Sequence, residues 1–436
     1  MENEPSVLQS ISGAPPPTGL GRAYARLLRA NPNFRRMWLA QLISETGDWF
    51  YSLAVYDLLY QMTHSGEAVA WAVIIQTLPW ALMTPLAGPI VDRFSRRRLM
   101  IVTDLCQGAV VLGLLLVRAP SQVGLVYLLL GLEIVFASVF EPARSALLPD
   151  IVGAGELLPA NALATITWSA ALMTGAALGG VVTAFFGRDV AVVANAASYF
   201  LSAALVWRIV AVETHLAAPA PEQAAPSAPL RDGMRYVAEN SRILTLILAK
   251  TGTGLLGGSM VILVIYGERI FPLGGHGVLA MGLLYAVRGA GSGIGPLLGH
   301  RLTRGIEPAM WTLITASFFI CAASFLALSW APTLALALLA LLAASLGGSN
   351  IWVMSTTLLQ VHTASRFRGR IFALDFGAWM LAVSVSNYLV GLGLDHWGLS
   401  ARQLAAALGG AMLLLGVVWR WTSRNWTDHR AKPREA

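Results

Sequence analysis

Charge and cysteine are both scarce in this chain. Only 12% of its 436 residues are Asp, Glu, Lys or Arg, and 56% are hydrophobic, whereas an ordinary soluble chain carries about 25% charged residues. That shortage leaves no stretch long enough for a separate soluble enzyme. The two cysteines, Cys106 and Cys321, each fall inside an apolar run, where they are expected as small buried residues rather than as a disulfide. There is no HExxH helix, no Walker-type glycine loop, no cysteine pair and no long nucleotide-binding domain. ATP-driven transport and membrane metalloprotease chemistry are excluded on that ground, and neither a cofactor nor a metal is expected. No cleavable signal precedes the first apolar run, which starts near Trp38 behind a polar, Pro-rich N-terminus. The first helix is therefore expected to remain as an anchor.

Long apolar runs fill the rest. A bilayer takes about 20 mostly apolar residues per helix. Twelve such segments fit, near 37–60, 68–91, 98–117, 122–143, 161–186, 189–210, 243–266, 277–298, 308–329, 332–357, 370–394 and 403–422. The fold class expected is an all-α membrane protein. The excess of basic residues, a net +7, would suggest nucleic acid in a soluble chain. Here the basic residues sit between apolar segments, so they point to a membrane surface and no nucleic acid. With the N-terminus cytoplasmic, 24 of the 30 Lys and Arg fall on the cytoplasmic side. Arg118, Arg188, Arg269 and Arg402 fall on the other, and only Lys250 and Arg288 remain, within spans and assigned to neither side. An inverted topology would oppose the bias at nearly every loop.

The stretch His215–Pro229 is rich in Ala and Pro, builds no core, and is expected to be flexible or extended. It divides the spans six and six. The halves also repeat: Asn33-x-Arg35 matches Asn240-x-Arg242, and Gly88-Pro89 matches Gly295-Pro296, each 207 positions on. A constant offset over two helices indicates duplication, and since both halves start on the same side the repeat is parallel. The expected layout is a cytoplasmic tail over 1–30, a first six-helix bundle over 31–210, a cytoplasmic linker over 211–240, a second bundle over 241–424 and a cytoplasmic tail over 425–436.

Against this apolar background the ionisable residues stand out. Glu45 and Asp48 are three apart in the first span, one helical face, with Gln41 a turn earlier. Buried carboxylates favour their neutral form, and a neighbouring carboxylate strengthens that tendency. The pair is a candidate site for protons or for a cationic part of a substrate. Alternatively, either residue caps a break at Gly47 or bonds to a neighbouring helix. Their counterparts in the second half are Gly252 and Leu255, so this stripe belongs to the first half alone. Glu133, midway along the fourth span, is a further candidate, with a hydrogen bond to a small-residue helix as the alternative. Asp104 and Gln107 line the third span at helical spacing. Lys250 and Arg288 either neutralise a buried carboxylate or bind an anionic substrate, although Lys250 is near enough to the cytoplasmic end to snorkel. Asp375 either takes part in transport or pairs with the Arg368 and Arg370 cluster. The seven histidines are all placed in loops or tails, which argues against a histidine proton relay within the membrane.

The loop after the second span reads Gly88-Pro-Ile-Val-Asp92-Arg93-Phe-Ser95-Arg96-Arg97-Arg98. It resembles the loop signature of the major facilitator superfamily. Ser44-x-x-Gly47-Asp48-Trp49, and Phe140-Glu141-Pro-Ala-Arg144-Ser-Ala-Leu-Leu-Pro149-Asp150 with Leu158-Pro-Ala-Asn161-Ala, resemble a branch of bacterial exporters related to enterobactin and macrolide efflux proteins. The resemblance covers roughly Asn33 to Trp421. It implies two six-helix bundles rocking about a central cavity. It also implies a conformational latch in which Gly88, Asp92, Arg93, Arg96 and Arg97 stabilise the outward-open state, with Glu141 and Arg144 in a second latch. Ser95 stands where the signature usually has a second Gly. Gly175-Ala-Ala-Leu-Gly179-Gly180 resembles an antiporter motif but has Ala176 where that motif has Pro. Gly299, His300 and Arg301 replace the loop acid in the second half, so only the first loop carries the full latch.

The reading is a multi-pass transporter of the cell (inner) membrane, not an enzyme. It is expected to export small amphipathic, siderophore- or drug-like molecules by proton antiport, with both termini cytoplasmic. Its expected partners are a small-molecule substrate, protons and membrane lipid, with no oligomer required. A lipid or lysophospholipid flippase on the same fold, and a non-transporting receptor or assembly factor, are the alternatives.

Overall fold

The structure, a computed structural model, describes residue 24 and residues 27–153, 156–211, 230–363 and 365–424. Helices joined by short turns make up the described chain. In order they are α1 (Pro32–Thr63), α2 (Gly66–Arg93), α3 (Arg96–Leu112), α4 (Val123–Ile151), α5 (Leu157–Phe186), α6 (Arg188–Trp207), α7 (Leu230–Glu239), α8 (Ser241–Gly254), α9 (Ser259–Ile265), α10 (Gly277–Thr303), α11 (Glu307–Trp330), α12 (Leu334–His362), α13 (Ser365–Asp395) and α14 (Ala401–Thr422). A 3₁₀ turn over Leu255–Gly258 joins α8 to α9, and a π turn over Tyr266–Ile270 follows. Those pieces form one interrupted span. Ten of the spans are long and apolar enough to cross a membrane by length and composition. The other two, α1 and α2, have 32 and 28 residues.

Local chemistry sets the helix ends. Asn31 accepts a hydrogen bond from the Phe34 N–H and Pro32 opens the first turn, a favoured pairing at a helix start. Ser65 and Thr333 cap α2 and α12 in the same way, and Ser400 with Gln403 closes a capping box on α14. Gly187, at φ 83, makes the tight turn between α5 and α6. Asn240 occupies the cap position of α8, while Asn31, two residues before the matched Asn33, caps α1. The repeat therefore drifts slightly at its helix starts.

Helices α1–α6 form one bundle and α8–α14 the other. They meet most extensively where α5 lies on α10 and α2 on α13. Small residues permit the first contact: a Cβ on Gly180 would sit 3.0 Å from Gly282 Cα, and one on Gly289 would sit 2.6 Å from Met173 N. Gly175 and Gly179 bring α5 onto α1, where an added Cβ would lie 2.5 Å from Thr46 O and 2.3 Å from Phe50 O. This glycine run thus lets α5 approach α1 and α10 closely, with Ala176 fully buried among it.

One face of the bundle pair, the basic face, holds the starts of α1 and α8 and the α2–α3 turn with Arg93, Arg96 and Arg97. Toward the opposite face a single apolar core joins both bundles, from Tyr51, Leu59 and Val69 to Tyr266, Met281 and Leu404. Toward the basic face the described core divides. Phe34, Met100, Phe140 and Leu163 pack in the first bundle, and Ile243, Trp311, Met354 and Trp419 in the second.

Two boundaries differ from expectation. The 211–240 linker includes helix α7, seated by the stacking of Tyr236 on Phe367 at 4.3 Å between centroids. The rest of it, including His215–Pro229, lies outside the described residues. Leu27, assigned to a flexible tail, is 1% exposed and packs in the first bundle's core. The remaining tail residues 1–23, 25–26 and 425–436 lie outside the described residues.

Candidate functional site

At mid-depth of the first bundle, α1, α4 and α6 bring two carboxylates and two phenols together. Tyr51 Oη donates to Glu133 Oε2 at 2.6 Å. Tyr199 Oη lies 2.5 Å from Asp48 Oδ1 and 3.0 Å from Glu133 Oε1. Glu133, Tyr51 and Tyr199 are all buried. The approach of α1 to α6 depends on Gly47, where a Cβ would be 2.3 Å from Ser198 Oγ. α1 runs through Gly47 without interruption, so neither carboxylate caps a break there. Each phenol has one O–H to donate, and an ionised carboxylate has none. Three close O···O contacts therefore face two phenolic protons. Tyr199 can direct its proton at only one of its two carboxyl partners. A proton on Asp48 or Glu133 completes the third bond, so this geometry accommodates one more proton than the phenols supply.

Gln41 and Glu45 belong to a second network nearer the basic face. Gln41 Nε2 donates to Glu45 Oε1 at 2.8 Å, and Arg144 Nη1 donates to Gln41 Oε1 at 3.1 Å. Arg144 also forms an ion pair with Glu141 at 2.7 Å. Glu45 Oε2 is buried without a hydrogen-bond partner. The structure thus regroups the sequence candidates. Glu45 and Asp48 share a helical face but turn to different partners, Asp48 toward Glu133 and Glu45 toward Arg144. The residues assigned to a second latch, Glu141 and Arg144, join the network of Gln41 and Glu45. Asp104 and Gln107 are buried on α3, and Asp104 Oδ2 lacks a partner.

The second bundle handles charge differently. Lys250 Nζ lies 2.6 Å from Asp375 Oδ2, 3.0 Å from Thr356 Oγ1 and 3.8 Å from the centroid of Trp352. Its side chain is 4% exposed. Lys250 therefore does not snorkel: Asp375 and the Trp352 face replace the water it would otherwise seek. Asp375 pairs with Lys250 rather than with the arginines at the start of α13. Arg370 lies over its neighbour Phe367, and the side chains of Arg366 and Arg368 lie outside the described residues. Arg288, midway along α10, has Tyr285 and Tyr56 as its electrostatic neighbours. It makes no hydrogen bond or ion pair among the described residues, and its Nη1 is buried without a partner.

Asp92 and Arg93 end α2 in exposed positions. Arg96 pairs with Asp150 at 2.9 Å, and Arg97 donates to the carbonyls of Val206 and Trp207. These bonds join α3 to α4 and α6 within the first bundle. Gly88 lies in α2, and its packing falls outside the described side chains. His300 and His362 occupy last turns of helices rather than loops, with His362 Nε2 2.8 Å from Glu307 Oε1. His215 and His429 lie outside the described residues.

At the opposite face the bundles are fastened by residues the sequence did not single out. Asp395, ending α13, takes hydrogen bonds from Ser65 Oγ at 2.5 Å, Gly66 N at 3.0 Å and Glu67 N at 2.8 Å. An acid of the second bundle thus caps a helix of the first, where the helix dipole favours negative charge. Glu67 lies 3.6 Å from His396. Asp57 lies near Glu268, and Arg269 lies 5.3 Å over the Tyr60 ring. Thr77 and Ser384 share a hydrogen bond of 3.2 Å at mid-depth. The alternating apolar and polar residues near 57–67 and 391–396 carry no fixed-spacing motif, so only their placement across a helix boundary reveals them.

The family model described as Major Facilitator Superfamily matches residues 37–387. Enterobactin exporter EntS of Escherichia coli O1:K1 / APEC is 27% identical over 405 residues, covering 90% of this chain and 92% of that protein. Putative bacilysin exporter BacE of Bacillus subtilis (strain 168) is 24% identical over 371 residues, 83% of this chain and 88% of its own. Uncharacterized MFS-type transporter YfiS of Bacillus subtilis (strain 168) is 26% identical over 224 residues, and the match spans about half of each protein, 51% and 53%. Among solved structures, the nucleoside transporter NupG (D323A mutant) superposes with a TM-score of 0.69 at 10% identity, over 89% of this chain and 99% of that one. A bacterial homolog of the human lysosomal transporter Spinster, in an inward-facing and unoccupied conformation, gives 0.67 at 12% identity over 96% and 100%. At such identities the structures speak for the fold alone.

Proposed function

The chain belongs to the major facilitator superfamily, and on that premise we propose that this multi-pass secondary transporter exports small amphipathic molecules, siderophore- or drug-like, in exchange for protons. The Tyr199 geometry carries the reading. One phenol lies within hydrogen-bond distance of both Asp48 and Glu133, a network completed by one added proton. Removing that proton leaves buried Glu133 and half-buried Asp48 competing for the one Tyr199 donor, so the ionised network favours a rearranged first bundle. A proton drives transport only through such a difference between states. The neighbouring Gln41–Glu45–Arg144 network is on the basic-face side, where the described core has divided into two. In this reading the basic face is cytoplasmic, because the Lys and Arg residues concentrate there. Closure at the opposite face by Asp395 and the α5–α10 seam then makes this the state open toward the cytoplasm. Exporters among the relatives support the direction.

The test is flux in vesicles containing purified protein, using a panel of siderophore-like and drug-like compounds with and without an imposed pH gradient. Wild-type flux is expected to follow the gradient. Glu133→Gln and Glu45→Gln keep shape and hydrogen-bonding capacity but cannot release a proton at physiological pH, so binding persists while the response to the gradient falls. Asp48→Asn belongs beside them. Wild-type rates and a normal pH response in all three variants would remove carboxylate-based coupling.

A further inference from the structure

We infer that Arg288 and the aromatic rings around it form a subsite for the anionic group of an aromatic or similarly flat apolar substrate. The inference rests on the transport reading above and narrows its substrate class.

The starting point is a difference among the buried and half-buried cations. Arg96 has Asp150, Arg144 has Glu141, and Lys250 has Asp375. Arg288 has no carboxylate within ion-pair distance among the described residues, and its Nη1 is shut away from solvent with nothing to donate to. Buried charges normally require a partner, and an intramembrane ionisable residue marks a functional site by default. Of the two roles open to Arg288 from sequence, neutralising a buried carboxylate finds no such carboxylate among the described residues. Binding an anion supplies the missing acceptor.

The surroundings define the rest of the ligand. Tyr285 lies one turn earlier on α10, its ring 6.5 Å from Tyr56 and 6.2 Å from Trp49, both on α1. Trp168 of α5 meets Trp49 edge-on at 6.2 Å. Trp49 and Tyr56 belong to the first bundle and Arg288 and Tyr285 to the second, so the subsite straddles the division between them. Tyr56 Oη is engaged with Gln76 Oε1 at 2.5 Å, and the Tyr56 and Tyr285 rings are packed in the core, so both form a fixed floor beneath Arg288. A planar guanidinium with tyrosine neighbours, next to this aromatic cluster, suits a carboxylate, sulfonate or similar oxyanion attached to a flat apolar body. A cationic substrate would meet like charge here.

Binding to purified full-length protein in detergent tests this with three probes of one shape: 2-naphthoate, neutral 2-naphthamide and cationic 2-naphthylmethylamine. Tryptophan quenching or calorimetry gives the affinities. The expectation is that wild type binds naphthoate at least about tenfold more tightly than the amide, the scale of one charge-assisted hydrogen bond, and the amine most weakly. Arg288→Gln should erase the preference for the anion, and Arg288→Lys should restore part of it. Arg288→Met should melt no lower than wild type, since no partner is stranded, whereas a purely structural cation would leave a destabilised variant. Equal affinity for naphthoate and naphthamide, no measurable naphthoate binding, or an undiminished preference in Arg288→Gln would each overturn the subsite. Failure of the function reading looks different: anion binding through Arg288 with no flux responding to pH removes proton antiport and leaves this subsite intact.

Discussion

The two bundles share an ancestry visible in the 207-residue offset, yet they hold their buried charges in opposite ways. In the first, Asp48, Glu133 and Glu45 are held by phenols and an amide, with the nearest cation, Arg144, committed to Glu141. In the second, Lys250 and Asp375 neutralise each other at 2.6 Å, and Arg288 keeps its charge without a partner. A carboxylate bonded to neutral donors can gain or lose a proton without stranding an opposite charge. One locked in an ion pair cannot. The matching helices therefore carry different chemistry: carboxylates bonded to neutral donors in one copy, and an ion pair with an unpartnered arginine in the other.

The sharpest way to break this comparison is to remove one charge from each side. Lys250→Met leaves Asp375 buried without its cation, and a stranded partner of a buried pair costs about 3–5 kcal/mol. Removing both, in Lys250→Met with Asp375→Leu, should recover much of that loss. Glu133→Gln strands no charge and exchanges one set of hydrogen bonds for another, so its cost should be about 1 kcal/mol or less. Denaturant or thermal unfolding in detergent ranks the variants. Equal destabilisation by Lys250→Met and Glu133→Gln would show that the two bundles treat charge alike after all.

A smaller effect is expected where the bundles touch. Asp395 of the second bundle caps α2 of the first through three hydrogen bonds, and loss of a cap typically costs about 0.5–2 kcal/mol. Because this cap spans the two bundles, Asp395→Ala should shift the balance of states rather than the stability of either bundle. Spin-label distances between the bundles at that face should lengthen in a larger fraction of molecules. An unchanged distance distribution would mean that the α5–α10 seam alone sets closure.

How much of this the sequence disclosed depends on how local the signal is. Each of the twelve apolar runs lies within or overlaps a helix or helix stack, because bilayer length and the positions of Gly, Pro and Asn caps are properties of short windows. The helical face shared by Gln41, Glu45 and Asp48 was equally local. The partners were not. Nothing in the sequence sets Tyr51 and Tyr199 apart from other aromatics, since their Oη atoms find Glu133 and Asp48 only after α1, α4 and α6 pack. Lys250 looked free to snorkel because Asp375 is 125 residues away. The break between α8 and α9 was also hidden, since Gly252, Gly254, Gly257 and Gly258 fit a helix packed closely on α13 as readily as one that loosens into 3₁₀ geometry. Helix α7 fell within a stretch read as linker because ten residues are too few to stand out from the Ala- and Pro-rich sequence before it.

The smallest effect tests whether the halves differ at their loops as they do in their interiors. Asp92 and Arg93 of the first loop correspond, at the same offset, to Gly299 and His300 of the second. Both first-loop residues are exposed here. In a state open at the basic face an acid that acts as a latch is expected to be disengaged, and it would find arginine partners only when that face closes. Asp92→Asn should therefore leave unfolding within about 0.5 kcal/mol of wild type, as for other exposed substitutions, while making closure of the basic face less favourable. Distances between labels on the two bundles at that face should shift toward the open population. The converse change is poorly suited as a control, because a side chain at Gly299 would begin 2.2 Å from Asn350 Oδ1 and disturb α10 packing by itself. His300→Asp is exposed enough to avoid that conflict. If Asp92→Asn and His300→Asp leave the distance distributions and the transport rate unchanged, the first loop is a topological anchor rather than a latch, and the asymmetry between the bundles is confined to their interiors.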